Sequence, residues 1–137
     1  MAKANYDVAF DYLEVPKGSG RFCPIVPVTV EATRTQTFLF TVDSGAELTS
    51  LPFDIALAIG LDANAGQEID MDTVGGGDKG RLFHSGVTLT ICNFVVQPPV
   101  VFMPHLKDCL LGRMGIFPLI QVGFREARKK VYFAFTA

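Results

Sequence analysis

The fifteen residues FLFTVDSGAELTSLP, Phe38 to Pro52, decide how this chain is to be read. Phe38–Val42 is an apolar, β-branched run of strand character, and an acid, a hydroxyl residue and a glycine follow it at once as Asp43, Ser44 and Gly45. Asp43 therefore stands where burial ends. Desolvation there raises the pKa of a carboxyl group, whereas hydrogen bonds from the backbone N–H groups of a tight glycine turn lower it. Taken alone, Asp-Ser-Gly is also an ordinary turn in which the acid bonds the backbone that follows it.

Outward from this stretch the chain has β character. Val26–Glu31 pairs in expectation with Thr37–Val42 through a polar loop at Ala32–Gln36. Beyond Pro52, the spacing of Ile55, Ala58 and Ile59 predicts a short helix over Phe53–Ile59 that Gly60 ends. The text turns polar around the glycines at 75–77, then Arg81–Thr90 and Asn93–Val101 read as strands, the second interrupted or at an edge because of Pro98 and Pro99. A glycine-tipped hairpin follows from this pattern. Further strands are expected at Cys109–Leu111, Ile120–Phe124 and Lys130–Phe135, with a turn or helical piece at Arg113–Phe117. With 137 residues and no repeat or linker composition, we expect a single domain over 1–137 with its core at about 24–135.

Three features in order now stand out: the strand followed by Asp43-Ser44-Gly45-Ala46, the glycine hairpin Val74-Gly75-Gly76-Gly77, and Leu110-Leu111-Gly112-Arg113. Together they resemble the retropepsin-like, retroviral-type family of aspartic proteases over roughly Pro24 to Phe135. The resemblance implies an all-β fold, a closed β-barrel with one or two short helices. It implies that Asp43 is catalytic, that Ser44, Gly45 and Ala46 form the active-site turn, and that Val74, Gly75, Gly76 and Gly77 form a flap over an extended peptide. Leu110, Leu111 and Gly112 would support the turn from behind, with Arg113 bracing it through an ion pair to Glu47. Val74, Val42 and Ile116 become pocket walls by the same analogy.

The chemistry of such a site needs two carboxylates sharing one proton. No second Asp in the chain is followed by Ser or Thr and then Gly; Asp72-Thr73 is followed by Val74. The second acid is therefore expected from another copy, in a homodimer acting on peptide or protein substrates. Either Val131–Phe135 or Val8–Leu13 could form the sheet between copies. The rival reading is a retropepsin-like module that binds peptides or dimerises without cleaving them.

Other chemistries fit less well. A net charge of −2, with no basic run beyond Arg128-Lys129-Lys130, builds no nucleic-acid surface. Lys79-Gly80-Arg81 lacks the Gly-Lys-Ser/Thr of a phosphate loop. His84, Cys92, His105 and Cys109 lack the paired spacing of metal ligands, and no metal or cofactor is expected. Cys109 inside an apolar strand and Cys92 at a strand end are poorly placed as nucleophiles. The opening MAKANYDVAF has Asn5, Tyr6 and Asp7 where a signal peptide carries its apolar stretch, no run reaches the length of a membrane span, and the three cysteines suit free thiols. We expect a soluble cytoplasmic protein with no membrane partner.

Overall fold

The computed structural model describes residues 5–73 and 76–135. In chain order the strands are β1 (Val8–Asp11), β2 (Leu13–Glu14), β3 (Phe22–Cys23), β4 (Ile25–Glu31), β5 (Thr35–Val42), β6 (Thr49–Pro52), β7 (Gln67–Thr73), β8 (Gly76–Phe83), β9 (Thr88–Ile91), β10 (Phe94–Val96), β11 (Val100–Met103), β12 (Cys109–Leu111), β13 (Gln121–Arg125) and β14 (Lys130–Ala134). One α-helix, α1 (Phe53–Ala58), follows β6. The all-β expectation holds.

Nine strands form one mixed sheet in the order β10-β9-β4-β5-β12-β6-β11-β8-β7. No ladder joins β10 to β7 among the described residues, so hydrogen bonding leaves the expected barrel open. Alternation explains the outer strands: Val26, Val28 and Val30 of β4 turn inward while Pro27 and Glu31 face out. Pro27 is tolerated because β9 reaches only Thr29–Glu31, so no second ladder passes it. The inner strands β6 and β11 run parallel and are buried at every position; β11 is a continuous apolar run, whereas β6 buries the hydroxyl residues Thr49 and Ser50. Phe40, Phe102 and Phe133 are fully buried in the single core cluster, each contributing about 1.5–3 kcal/mol by removal from water.

Two expected strands divide in the structure. Arg81–Thr90 breaks after Phe83, where the chain turns through Gly86 at φ +96° before β9 begins. Asn93–Val101 is split at Pro98-Pro99 into β10, which pairs with β9, and β11, which pairs with β6 and β8. The helix ends at Ala58 rather than Ile59, with Ala56 and Ile59 buried beneath it and Gly60 at φ +77° closing it. The first hairpin loop is shorter than expected, because β5 already begins at Thr35.

The chain ends do something the sequence left undecided. β1 pairs with β14 in the same chain, Val8 opposite Phe133 and Asp11 opposite Lys130, and β13 flanks β14 on its other side. Both terminal segments thus use one of their edges on each other. No helix among the described residues is long and apolar enough to cross a membrane.

Candidate active site

Strand β5 delivers Asp43 to the surface. Val42 is buried and donates its N–H to Pro24 O at 2.8 Å, and the N–H of Asp43 then reaches Leu111 O at 3.0 Å. The chain reverses at once: Gly45 N–H donates to Asp43 Oδ1 at 2.9 Å and Ala46 N–H to Asp43 O at 3.2 Å. The ordinary turn bond and the half-buried acid thus occur together, with one carboxylate oxygen held by the backbone. Asp43 is half-buried, Ser44 and Gly45 are exposed, and Ala46 is half-buried. A Cβ on residue 45 would sit 3.2 Å from Asp43 Oδ1, so glycine leaves the carboxylate its space.

What holds the turn from behind is β12. It lies between β5 and β6, parallel to the first (Leu110 opposite Thr41) and antiparallel to the second (Leu110 opposite Ser50). Because β5 and β6 are the two ends of the turn, β12 spans its base. Gly112 follows with no room for a side chain: a Cβ would lie 2.5 Å from Leu48 O and 2.8 Å from Thr49 N. Its N–H donates to the buried Thr49 Oγ1 at 3.0 Å. Arg113 N–H then bonds Ala46 O at 2.9 Å and Met114 N–H bonds Glu47 O at 2.8 Å.

The expected ion pair between Arg113 and Glu47 is absent among the described residues, whose ion pairs all lie elsewhere. Both side chains are exposed, and the connection between their segments is made by backbone instead. Backbone bonds at fixed positions hold the turn without ordering two long side chains in water. Val42 and Ile116 are likewise sealed in the core rather than lining a pocket, because each faces the inner side of its segment.

In front of the turn is a cavity of about 450 Å³. The turn contributes Gly45, Ala46, Glu47, Leu48 and Ser50, and β7 contributes Asp70, Met71 and Asp72. Met103, Leu106 and Leu110 complete an apolar side. A cavity of about 640 Å³ beside Phe94, Val95 and Leu119 is larger but has no titratable side chain, so volume does not identify the site. Over the cavity lies the β7–β8 hairpin, paired from Gln67 opposite Leu82 to Thr73 opposite Gly76. Of the expected flap residues, Gly76 and Gly77 belong to β8, while Val74 and Gly75 lie outside the described residues. Gly80 seats the hairpin: a Cβ there would meet Val101 Cγ2 at 2.6 Å and Met103 Sδ at 2.9 Å.

Thr49, Met71, Met103 and Leu106 were not singled out by sequence. Thr49 alone had a signal, a β-branched hydroxyl residue six positions after the acid, but its burial depends on β12 arriving from sixty residues away. Cys109 is buried and its thiol is pushed up to about 12, chiefly by desolvation and then by Asp54 and Asp108, which keeps it protonated and unreactive. No group of three His, Cys, Asp or Glu side chains is placed to hold a metal among the described residues, and His84 bonds Gln67.

A family model described as aspartyl protease matches residues 26–114, from β4 through the Asp43 turn and the hairpin to the residues after Gly112. No curated protein matches the chain significantly. The matched region is well over half of the sequence and contains the acid turn together with the strand that braces it, and the chain belongs to the aspartyl protease family.

Proposed function

We propose that the chain is an aspartic endopeptidase whose site is completed by a second copy, so that two Asp43 carboxylates share one proton and activate one water. The observation that carries this reading is the single Asp43 turn, whose Gly45 and Ala46 line the cavity, with Asp43 half-buried and one of its carboxylate oxygens held by Gly45 N–H. Two carboxylates close enough to share a proton cannot both ionise, and the titration belongs to the pair. The ionised member takes a proton from the water, the resulting nucleophile attacks the scissile carbonyl, and the protonated member donates to the developing oxyanion. Collapse of that intermediate releases the amine, which takes up a proton from the pair.

In this reading Ser44, Gly45 and Ala46 present the substrate side of the turn, and the segment 74–77 is the flap. The peptide lies extended between hairpin and turn, adding main-chain hydrogen bonds to both. Leu110, Leu111 and Gly112 keep the turn in place, and Arg113 and Glu47 contribute through their backbone rather than as an ion pair. Free Cys23, Cys92 and Cys109 support a reducing, cytoplasmic setting for this one-domain enzyme.

Peptide-library digestion at mildly acidic pH, with wild type beside Asp43→Asn, tests the reading. The variant is expected to lose hydrolysis by about 10²–10⁴-fold or more while keeping its fold and its dimer. Undiminished cleavage by Asp43→Asn removes Asp43 from the mechanism. Peptide binding by the wild type without any cleavage identifies a binding module instead.

A further inference from the structure

We propose that the β2–β3 hairpin, Leu13 to Cys23, is the clasp that holds a second copy of this chain against the Asp43 turn. The inference rests on the two-chain reading above and assigns that dimer a specific surface.

Position is the first argument. β3 runs directly into β4, where Ile25 pairs with Thr41 and Pro24 O receives the N–H of Val42. That last tie leaves Cys23 next to the residue that holds Val42, so the hairpin ends about one strand spacing (~4.8 Å) from the strand end that carries Asp43. If two Asp43 carboxylates meet, a two-fold axis passes within hydrogen-bond reach of each. A segment one strand away from Asp43 then lies beside that axis, where the partner's surface arrives.

Composition is the second. Leu13, Val15 and Phe22 are 39%, 43% and 40% exposed, a third of the nine exposed large hydrophobic residues of the described chain within one short hairpin. The register, Leu13 opposite Cys23 and Glu14 opposite Phe22, puts Leu13 and Val15 on one face and Phe22 on the other. Lys129 lies over the Phe22 ring at 5.1 Å, so the Leu13 and Val15 face is the one left for a partner.

The hairpin is also ordered without a core of its own. Its two short strands pair with no third strand, an arrangement that is marginal in water. Glu14 organises the loop by accepting the N–H groups of Gly18 at 2.7 Å and Gly20 at 3.0 Å, and Val15 N–H bonds Arg21 O at 2.8 Å. A pre-organised projection with apolar side chains facing solvent is suited to burial against another surface.

Charge points to a copy of the same chain as the occupant. The loop carries exposed Lys17 and Arg21, and the turn carries Glu47, which is exposed and in no ion pair among the described residues. A self-complementary contact brings basic loop and acidic turn together twice. The obvious competitor, the outer face of the β1-β14-β13 sheet, is already covered or polar: Asp11 pairs with Lys130, and Tyr6 lies tilted against Tyr132 above Gly123.

Analytical ultracentrifugation across a concentration series tests this, with hydrolysis measured on the same samples. The double variant Leu13→Asp/Val15→Asp is expected to weaken the dimer by at least ten-fold and to lose activity at low concentration, recovering it at high concentration. Leu57→Asp, on the helix and 74% exposed, is expected to change neither. A wild type that is monomeric throughout overturns the two-chain reading and the clasp with it. A dimeric wild type whose hairpin variant is equally dimeric overturns the clasp alone. Should the variant fail to fold, hydrogen exchange on the wild type decides: on dilution to monomer, amides of residues 13–23 lose protection if the clasp is right and stay unchanged if it is wrong.

Discussion

The two walls of the cavity are built on different physics. The Asp43 turn is fixed by buried and backbone groups: β12 spans its base, Gly112 fits against Leu48 and Thr49 without space for a methyl group, and Thr49 accepts the Gly112 N–H out of contact with water. The β7–β8 hairpin joins the rest of the sheet on one side only, through β8 to β11, and beside its backbone ladder its side-chain ties are the exposed pair of Lys79 with Asp70 and the partly exposed pair of Arg81 with Glu68. Buried hydrogen bonds are costly to break, whereas exposed pairs contribute little. The contrast places rigidity at the acid and compliance at the hairpin, which is what the proposed endopeptidase site would need to position one group and admit a peptide.

Gly112→Ala is the strongest way to break this contrast. The added carbon meets the backbone of Leu48 and Thr49, which cannot move without shifting the turn, so a loss of about 3 kcal/mol in denaturant unfolding is expected. Hydrolysis should fall with it, because Asp43 hangs from the same crossing through its N–H to Leu111 O. A neutral Gly112→Ala would show that the turn is as compliant as the hairpin.

Thr49→Val comes next. The side chains are nearly the same size, so the change removes the acceptor of Gly112 N–H and leaves that donor buried and unpaired, a cost of about 1–3 kcal/mol. Chemical denaturation against wild type measures it. Rescue by Thr49→Ser, which keeps the hydroxyl, separates the hydrogen bond from packing.

These two positions also mark what the sequence could and could not disclose. The apolar run into Asp43-Ser44-Gly45 and the Leu-Leu-Gly of β12 were legible because each is a local pattern of strand, turn and glycine. Their crossing was expected only through the family resemblance, and its Thr49–Gly112 bond not at all, since those residues are sixty-three apart and only the sheet order brings them together. The Arg113–Glu47 expectation failed for a related reason: the opposite charges sit on adjoining segments, but it is the main chain that joins them. Arg81–Thr90 read as one strand although His84-Ser85-Gly86 interrupts its apolar residues, and the positive φ of Gly86 marks the corner there. The pairing of β1 with β14 joins the two ends of the chain, a contact for which no local pattern exists.

Lys79→Met is the mildest change and sharpens the contrast from the side of the hairpin. The hydrogen bond and charge of Asp70, with Glu68 at 4.0 Å adding to them, raise the Lys79 ammonium above its ordinary value of 10.5. A raised ammonium contributes fully below 10.5 and loses its contribution as pH climbs through the raised value, so at neutral pH the pair is present in full. Even so, Lys79 is well exposed and the pair is screened over a Debye length of ~8 Å at physiological salt. Global unfolding of the variant should therefore match wild type within error. The difference should appear locally, as faster hydrogen exchange in β7 and β8 at low salt that converges with wild type as salt is added. A global loss equal to that of Thr49→Val would mean that the hairpin belongs to the same rigid unit as the turn.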